Sequence, residues 1–185
     1  MLHASRIIAI LRSDPARWRL LEIVRELELP DSWIAAGFVR NAVWDHLHGR
    51  APAPIDGDVD VIWFDAGSTD AALDRELERR LHTVAPGIDW SVKNQARMHV
   101  RNGDQPYTSA SDAMRHWPET ATAVAAKLEA TGECRIASPL GLDDLFDLRL
   151  RPTARFAREK HAIFAERVQS KAWLSKWPLL GCAEV

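Results

Sequence analysis

Two aspartates, Asp58 and Asp60, stand two residues apart at the head of an apolar run that ends at Phe64. At strand spacing, residues i and i+2 share one face and lie about 6.6 Å apart along the backbone. Two carboxylates so placed can share one divalent cation or bracket two. Upstream, Gly37 follows the short apolar stretch Trp33 to Ala36 and precedes a helical pattern. A residue without a side chain at a strand-to-helix junction lets backbone N–H groups approach an anion closely. A phosphate cradle beside an oxygen-donor Mg²⁺ site is the equipment of phosphoryl or nucleotidyl transfer.

The elements that must hold these residues are legible from punctuation and period. Asp14-Pro15 reads as an N-cap followed by proline at the first helical position, opening a helix to about Leu27 with Leu20, Leu21, Val24 and Leu27 as its stripe. Trp33 to Ala36 reads as a short strand. Gly37 turns it into a helix to about His48, with Val39, Val43 and Leu47 on one face and Gly49 closing it. Asp58 to Phe64 is apolar on both faces after its acidic start, as a central strand should be. Asp56 falls in the preceding loop and Asp65 caps the following turn.

Thr69 or Asp70 caps a helix to about His82, and Ile88 to Lys93 is the next strand. Ser111 or Asp112 caps a short helix stopped by Pro118. Thr122 to Glu129 pairs as a hairpin through Thr131-Gly132 with Cys134 and Ile136. Gly141 to Asp147 is a short helix and Leu148 to Arg151 an edge strand, and a long helix is expected from about Ala154 to Trp173. The whole reads as one α/β (α+β) domain, a mixed β-sheet with flanking helices. It divides into N-terminal helices (1–30), a catalytic core (31–152) and a C-terminal helix with tail (153–185).

Composition sets outer bounds. The chain has 185 residues, 46% hydrophobic and 27% charged, which is ordinary for a folded domain of this length. No apolar run approaches the roughly 18–20 residues of a membrane span, and the N-terminus lacks a signal-peptide core, so a cytoplasmic protein without membrane contact is expected. Cys134 and Cys182 have no metal-binding spacing. The net charge is −2, but Arg149 to Trp177 holds eight Lys/Arg against Glu159 and Glu166, giving +6 there and −8 elsewhere. Such a segment can meet RNA, or it can be a solvated face with pairs such as Arg155–Glu159.

Arg40, Lys93 and Arg97 are candidates for neutralising a triphosphate, Arg40 being best placed, one turn into the Gly37 helix. His46 and His48 are about 200° apart on a helix and cannot chelate together. His99 and His116 read as structural or pocket-lining. Trp44, Trp63 and Trp173 fall in expected elements and read as core.

Gly37, Val39, Arg40 and Asn41 followed by Asp58 and Asp60 resemble the head-domain motif of CCA-adding enzymes and bacterial-type poly(A) polymerases, within the DNA polymerase β-like nucleotidyltransferase superfamily. The phrases Trp90–His99, Pro106–Val124, Gly141–Phe146 and Glu166–Pro178 are similar to one branch of small bacterial nucleotidyltransferase-family proteins. The resemblance runs from about residue 30 almost to the end and carries no substrate with it.

It implies the polymerase β-like fold and a Mg²⁺- (or Mn²⁺-) dependent transfer of a nucleotidyl group from an NTP, with ATP the expected donor, to an unknown hydroxyl acceptor. Asp58 and Asp60 would hold the metal. It also implies a third acid on a neighbouring strand that activates the hydroxyl; Asp89 is the first candidate and Glu119 the second. Phe38 departs from the superfamily, which usually has a second Gly or a Ser there, so phosphate contact would rest on backbone N–H groups. CCA addition is not the expected activity, because no RNA-binding domain follows the head. The alternative is a catalytically inactive nucleotide-binding or RNA-binding regulatory module on the same scaffold, the RNA held by the basic C-terminal helix.

Overall fold

Asp14 accepts a hydrogen bond from the Arg17 amide at 3.1 Å and Pro15 fills the first helical position, so the second helix starts where the sequence places it. The computed structural model describes residues 2–182; residue 1 and residues 183–185, the end of the expected tail, lie outside it. In chain order the elements are α1 (Leu2–Arg12), α2 (Pro15–Arg25), β1 (Trp33–Ala35), α3 (Gly37–Leu47), β2 (Val59–Trp63), α4 (Ala71–Val84) and β3 (Trp90–Asn94). There follow α5 (Met98–Asn102), α6 (Ala110–Met114), β4 (Ala125–Leu128), β5 (Cys134–Ala137), α7 (Asp143–Phe146), β6 (Arg149–Leu150), α8 (His161–Ser170), α9 (Trp173–Lys176) and β7 (Gly181–Cys182).

Five strands form one mixed sheet in the order β3-β2-β1-β4-β5. β2 and β3 run parallel, with Asp60 opposite Ser91, whereas β1 pairs antiparallel with both β2 and β4. The parallel pair needs a crossover, and α4 supplies it, capped by the Asp70 carboxylate on the Ala72 amide. β2 is thus an interior strand, between β3 and β1, and its alternate residues divide between two cores. Val59, Val61 and Trp63 pack with Val39, Val43 and Trp44 of α3 and with Ile7, Leu11 and Leu21 of the first two helices. Ile62 turns to the other face, where Ala110 and Met114 of α6 cover it. Asp60 shares that second face, beyond the end of this cover.

Three sequence expectations change. The cap of α6 is Ser109, neither Ser111 nor Asp112: the Ser109 hydroxyl accepts from the Asp112 amide at 2.9 Å while the Asp112 carboxylate accepts from the Thr108 amide at 3.0 Å, a reciprocal pair that fixes the start two residues earlier. The strand after α7 belongs to a separate two-stranded sheet, β6 pairing in parallel with β7. The expected helix from Ala154 to Trp173 is not continuous. Residues 154–160 form turns, pinned by Arg155 to the Asp104 carboxylate and by Lys160 Nζ to the Asn102 carbonyl at 3.0 Å. Ala172, at φ 49°, then breaks α8 from α9 and turns Trp173 and Trp177 inward against Trp44.

No helix among the described residues is long and apolar enough to cross a membrane. Cys134 is buried and Cys182 exposed, both as free thiols.

Candidate active site

The strand-to-helix turn ahead of α3 is built on Ala36, whose backbone takes φ 55° and ψ −121°, a conformation that ordinarily selects glycine. It is held from both sides: its N–H donates to the Val124 carbonyl at 2.9 Å and its C=O accepts from the Arg40 amide at 2.9 Å. The turn aims the first amides of α3, which by position have no intrahelical acceptor, at a cavity of about 490 Å³. Gly37 lines that cavity. A methyl group there would sit 3.5 Å from the Arg40 guanidinium and from the Asn41 amide, so a side chain fits sterically but would fill the cradle.

Asp58, one residue ahead of β2, and Asp60 within it line the same cavity, in keeping with their i, i+2 spacing. Asp58 is exposed and Asp60 half-buried. Burial first, and then the neighbouring Asp58 charge, push the Asp60 carboxyl up to about 6, while the Ser91 hydroxyl, Arg40 and Lys171 pull the other way. Arg40 is almost wholly buried, its guanidinium lying 5.0 Å from the Trp44 ring centroid and 4.7 Å from that of Trp173. It donates to Thr122 Oγ1 and Asn41 Oδ1, each at 2.9 Å. Burial lowers its pKa to about 10, partly opposed by Glu119, Asp60 and Asp58. Its Nε has no partner among the described residues.

The other wall comes from the C-terminal segment. Arg167, Ser170 and Lys171 of α8 and the following turn, with Trp173, Lys176 and Trp177, close the cavity. Lys176 pairs with Asp56 at 2.5 Å and Arg167 with Glu119 at 2.8 Å, so on this wall Lys171 faces Asp60 without an ion-pair partner among the described residues, adding to the buried Arg40 opposite. Two neighbouring carboxylates, one of them half-buried and pushed towards its neutral form by burial and by the other, fit a divalent cation. No cluster of three or more His, Cys, Asp or Glu among the described residues is arranged for one. Mg²⁺ does not require such a cluster, because it keeps several waters and is often held by one or two carboxylates and substrate phosphates.

The remaining sequence candidates are dispersed. Lys93 lines a second cavity of about 570 Å³ that shares Asp60, Ala36, Thr122 and Arg167 with the first, and its Nζ pairs with Glu78 at 2.8 Å. Arg97 lines neither cavity; it is bound to Asp74, a buried carboxylate that also accepts from Trp63 Nε1 at 2.8 Å. Asp89 is exposed at the foot of β3 and lines neither cavity, and the residue opposite Asp60 is Ser91. Glu119 is fully buried and held by Arg167. Phe38, the departure from the superfamily pattern, is 1% exposed with its ring packed beneath Arg17, so its bulk lies in the core and not in the cradle.

Sequence reasoning missed Ser91, Thr122, Arg167 and Lys171. For the last two a signal existed: Arg167, Ser170 and Lys171 stand at i, i+3 and i+4, one helix face.

A family model described as nucleotidyltransferase matches residues 22–182. No curated protein matches the chain. Among solved structures, an NMR structure described as revealing a CCA-adding enzyme head domain is 34% identical over 98% of this chain and 96% of that one, with a TM-score of 0.86. A CCA-adding enzyme in complex with CTP is similar in fold, with a TM-score of 0.61 at 15% identity; the match covers 98% of this chain but 43% of that enzyme. The turn at Gly37, the paired aspartates at the head of β2 and the match over most of the length agree, and the chain belongs to the nucleotidyltransferase family.

Proposed function

We propose that the protein transfers a nucleotidyl group from an NTP to a hydroxyl acceptor in a Mg²⁺-dependent reaction. The observation that supports this most is the meeting, in one cavity, of Asp58 and Asp60 with the Gly37 turn and Lys171. Asp58 and Asp60 would hold the metal; when bound, it would supply charge stabilisation for the entering and leaving oxygens. The first amides of α3 bind phosphate oxygens with the positive end of the helix dipole behind them. Lys171 adds a mobile positive charge to the triphosphate as negative charge develops on the leaving group. Arg40 fixes the cradle from below: its two hydrogen bonds and its place between Trp44 and Trp173 hold α3 against Thr122 and α9. Asp89 has no part in this reading, because it stands outside the cavity.

An NTP donor is in keeping with the fold-related CCA-adding enzyme that binds CTP; ATP is the first donor to test. The RNA-binding alternative gains little support from the basic segment, because seven of its eight Lys/Arg line the two cavities or pair with local acids. Arg167, Lys171 and Lys176 line the first cavity and Lys160 the second, while Arg149, Arg151 and Arg155 pair with Asp147, Asp144 and Asp104. Phe38 packs in the core, so its bulk does not obstruct the cradle, and phosphate contact there rests on backbone N–H groups.

The test is a thermal-shift screen of the four NTPs with and without Mg²⁺, followed by pyrophosphate release with a panel of hydroxyl acceptors. A nucleotide at 100 times its Kd should stabilise the fold by about 2.7 kcal/mol. Mg²⁺-dependent shifts, lost in Asp58→Asn, are expected. Binding without pyrophosphate release from any acceptor would favour a non-catalytic module, and no shift with any NTP would end the proposal.

A further inference from the structure

The reaction needs a second substrate, and the second cavity adjoins the first at Asp60. At about 570 Å³ it falls within the roughly 300–1,000 Å³ typical of small-ligand sites. Its walls are chemically one-sided. Asp60 is the single carboxylate that lines it, against four Lys/Arg. Glu78 neutralises Lys93 and Glu119 neutralises Arg167. Arg101 has no ion pair or side-chain hydrogen bond among the described residues, and Lys160 Nζ donates only to the Asn102 carbonyl, at 3.0 Å. Two positive charges therefore face the cavity uncompensated, beside the apolar surfaces of Trp117 and Phe156. Cations without counterions next to aromatic faces suit a ligand with an anionic end and a flat body.

We propose that this second cavity is the acceptor site, and that the acceptor is an alcohol carrying a phosphate group and a flat or apolar body, in the manner of a nucleotide. The proposal rests on the nucleotidyl-transfer reading of the first cavity. In the reaction the acceptor hydroxyl oxygen forms a bond to the α-phosphorus of the NTP. The bond from that phosphorus to the α,β-bridging oxygen breaks, pyrophosphate leaves with the electron pair, and the hydroxyl proton passes to solvent. The acceptor phosphate lies towards Arg101 and Lys160, the hydroxyl towards Asp60. The phosphate can belong to a small molecule or to the end of a ribonucleotide strand; the cavity reads the same chemistry in both.

The experiment is calorimetric titration of the protein saturated with Mg²⁺ and the non-transferring α,β-methylene analogue of the NTP that binds best. The probes are AMP, ribose 5-phosphate, adenosine and a hexaribonucleotide. AMP and ribose 5-phosphate should bind, adenosine at least tenfold more weakly than AMP. Arg101→Glu, a change at an exposed residue, should weaken AMP at least tenfold and leave the affinity for the NTP analogue within twofold. A hexaribonucleotide that binds more tightly than AMP, with the same loss in Arg101→Glu, assigns the phosphate to a strand end; one that binds no more tightly assigns it to a small molecule.

The proposal is overturned if the analogue binds and none of the phosphorylated probes does, if adenosine equals AMP, or if Arg101→Glu leaves AMP unaffected. A parallel loss of analogue affinity in Arg101→Glu would assign the cavity to the donor and equally overturn it. Failure of every NTP analogue to bind wild type is a different result, which defeats the nucleotidyl-transfer reading and this proposal with it.

Discussion

Removing the charge of Asp60 should make the protein more stable while ending its chemistry. The carboxyl is half-buried beside Asp58, and its pKa rises from 3.8 to about 6. At 1.36 kcal/mol per pH unit, ionising it in the folded state costs about 3 kcal/mol relative to the unfolded chain. Solvent in the open cavity makes that a ceiling, and about 1–3 kcal/mol is expected.

The sign follows from proton binding. Below about pH 3.8 both states hold the proton and nothing is lost; between about 4 and 6 the unfolded chain releases it first, so stability falls as pH rises through this window. The side-chain amide introduced by Asp60→Asn mimics the protonated acid and can still hydrogen-bond Ser91. Urea unfolding followed by tryptophan fluorescence at pH 4, 5.5 and 7.5 should therefore show a gap between variant and wild type that is near zero at the lowest pH and fully open at the highest. Other titrating groups change both proteins alike and cancel in the difference. Mg²⁺ with a bound NTP should stabilise wild type and leave the variant unmoved. A variant no more stable than wild type at pH 7.5, or a gap that does not change with pH, refutes the account of Asp60.

Gly37→Ala should leave unfolding free energy within about 0.5 kcal/mol of wild type, because the added methyl makes ordinary contacts at 3.5 Å, yet weaken NTP binding about tenfold by filling the cradle; calorimetric titration reads both the affinity and its cause. Lys171→Ala should raise the Kd for the NTP by about 1–2 kcal/mol in binding energy and flatten its salt dependence, with thermal stability unchanged. Arg40→Ala should cost about 3 kcal/mol in urea unfolding, since a buried cation between two indoles is exchanged for a void and Thr122 loses its partner. Asp89→Asn should retain full pyrophosphate release, and loss of turnover with unchanged NTP affinity would restore it as the base.

Local rules carried much of this fold. The cap at Asp14, the cap at Asp70 and the apolar face of α3 depend on neighbours within a turn or two, and each stands as the sequence places it. Where a competing local partner existed, the reading slipped: the Ser109–Asp112 exchange outweighed the later caps. The expected long basic helix failed for a different reason. Its first turns are held by Asp104 and Asn102, some 50 residues earlier, which no periodicity within the helix can reveal.

The same division runs through the candidate site. The sequence by itself determined the part whose geometry is set by backbone spacing: two aspartates two residues apart at the head of a strand, lining one cavity, and a glycine at a strand-to-helix turn. The choice of cations was decided only by the tertiary structure. Lys93, Arg97, Arg167 and Lys171 are equivalent as residue types, but long flexible side chains go to whichever carboxylate the fold brings near. Glu78 takes Lys93, Asp74 takes Arg97 and Glu119 takes Arg167, so the charge that joins the buried Arg40 in facing Asp60 comes from Lys171, more than 100 residues along the chain.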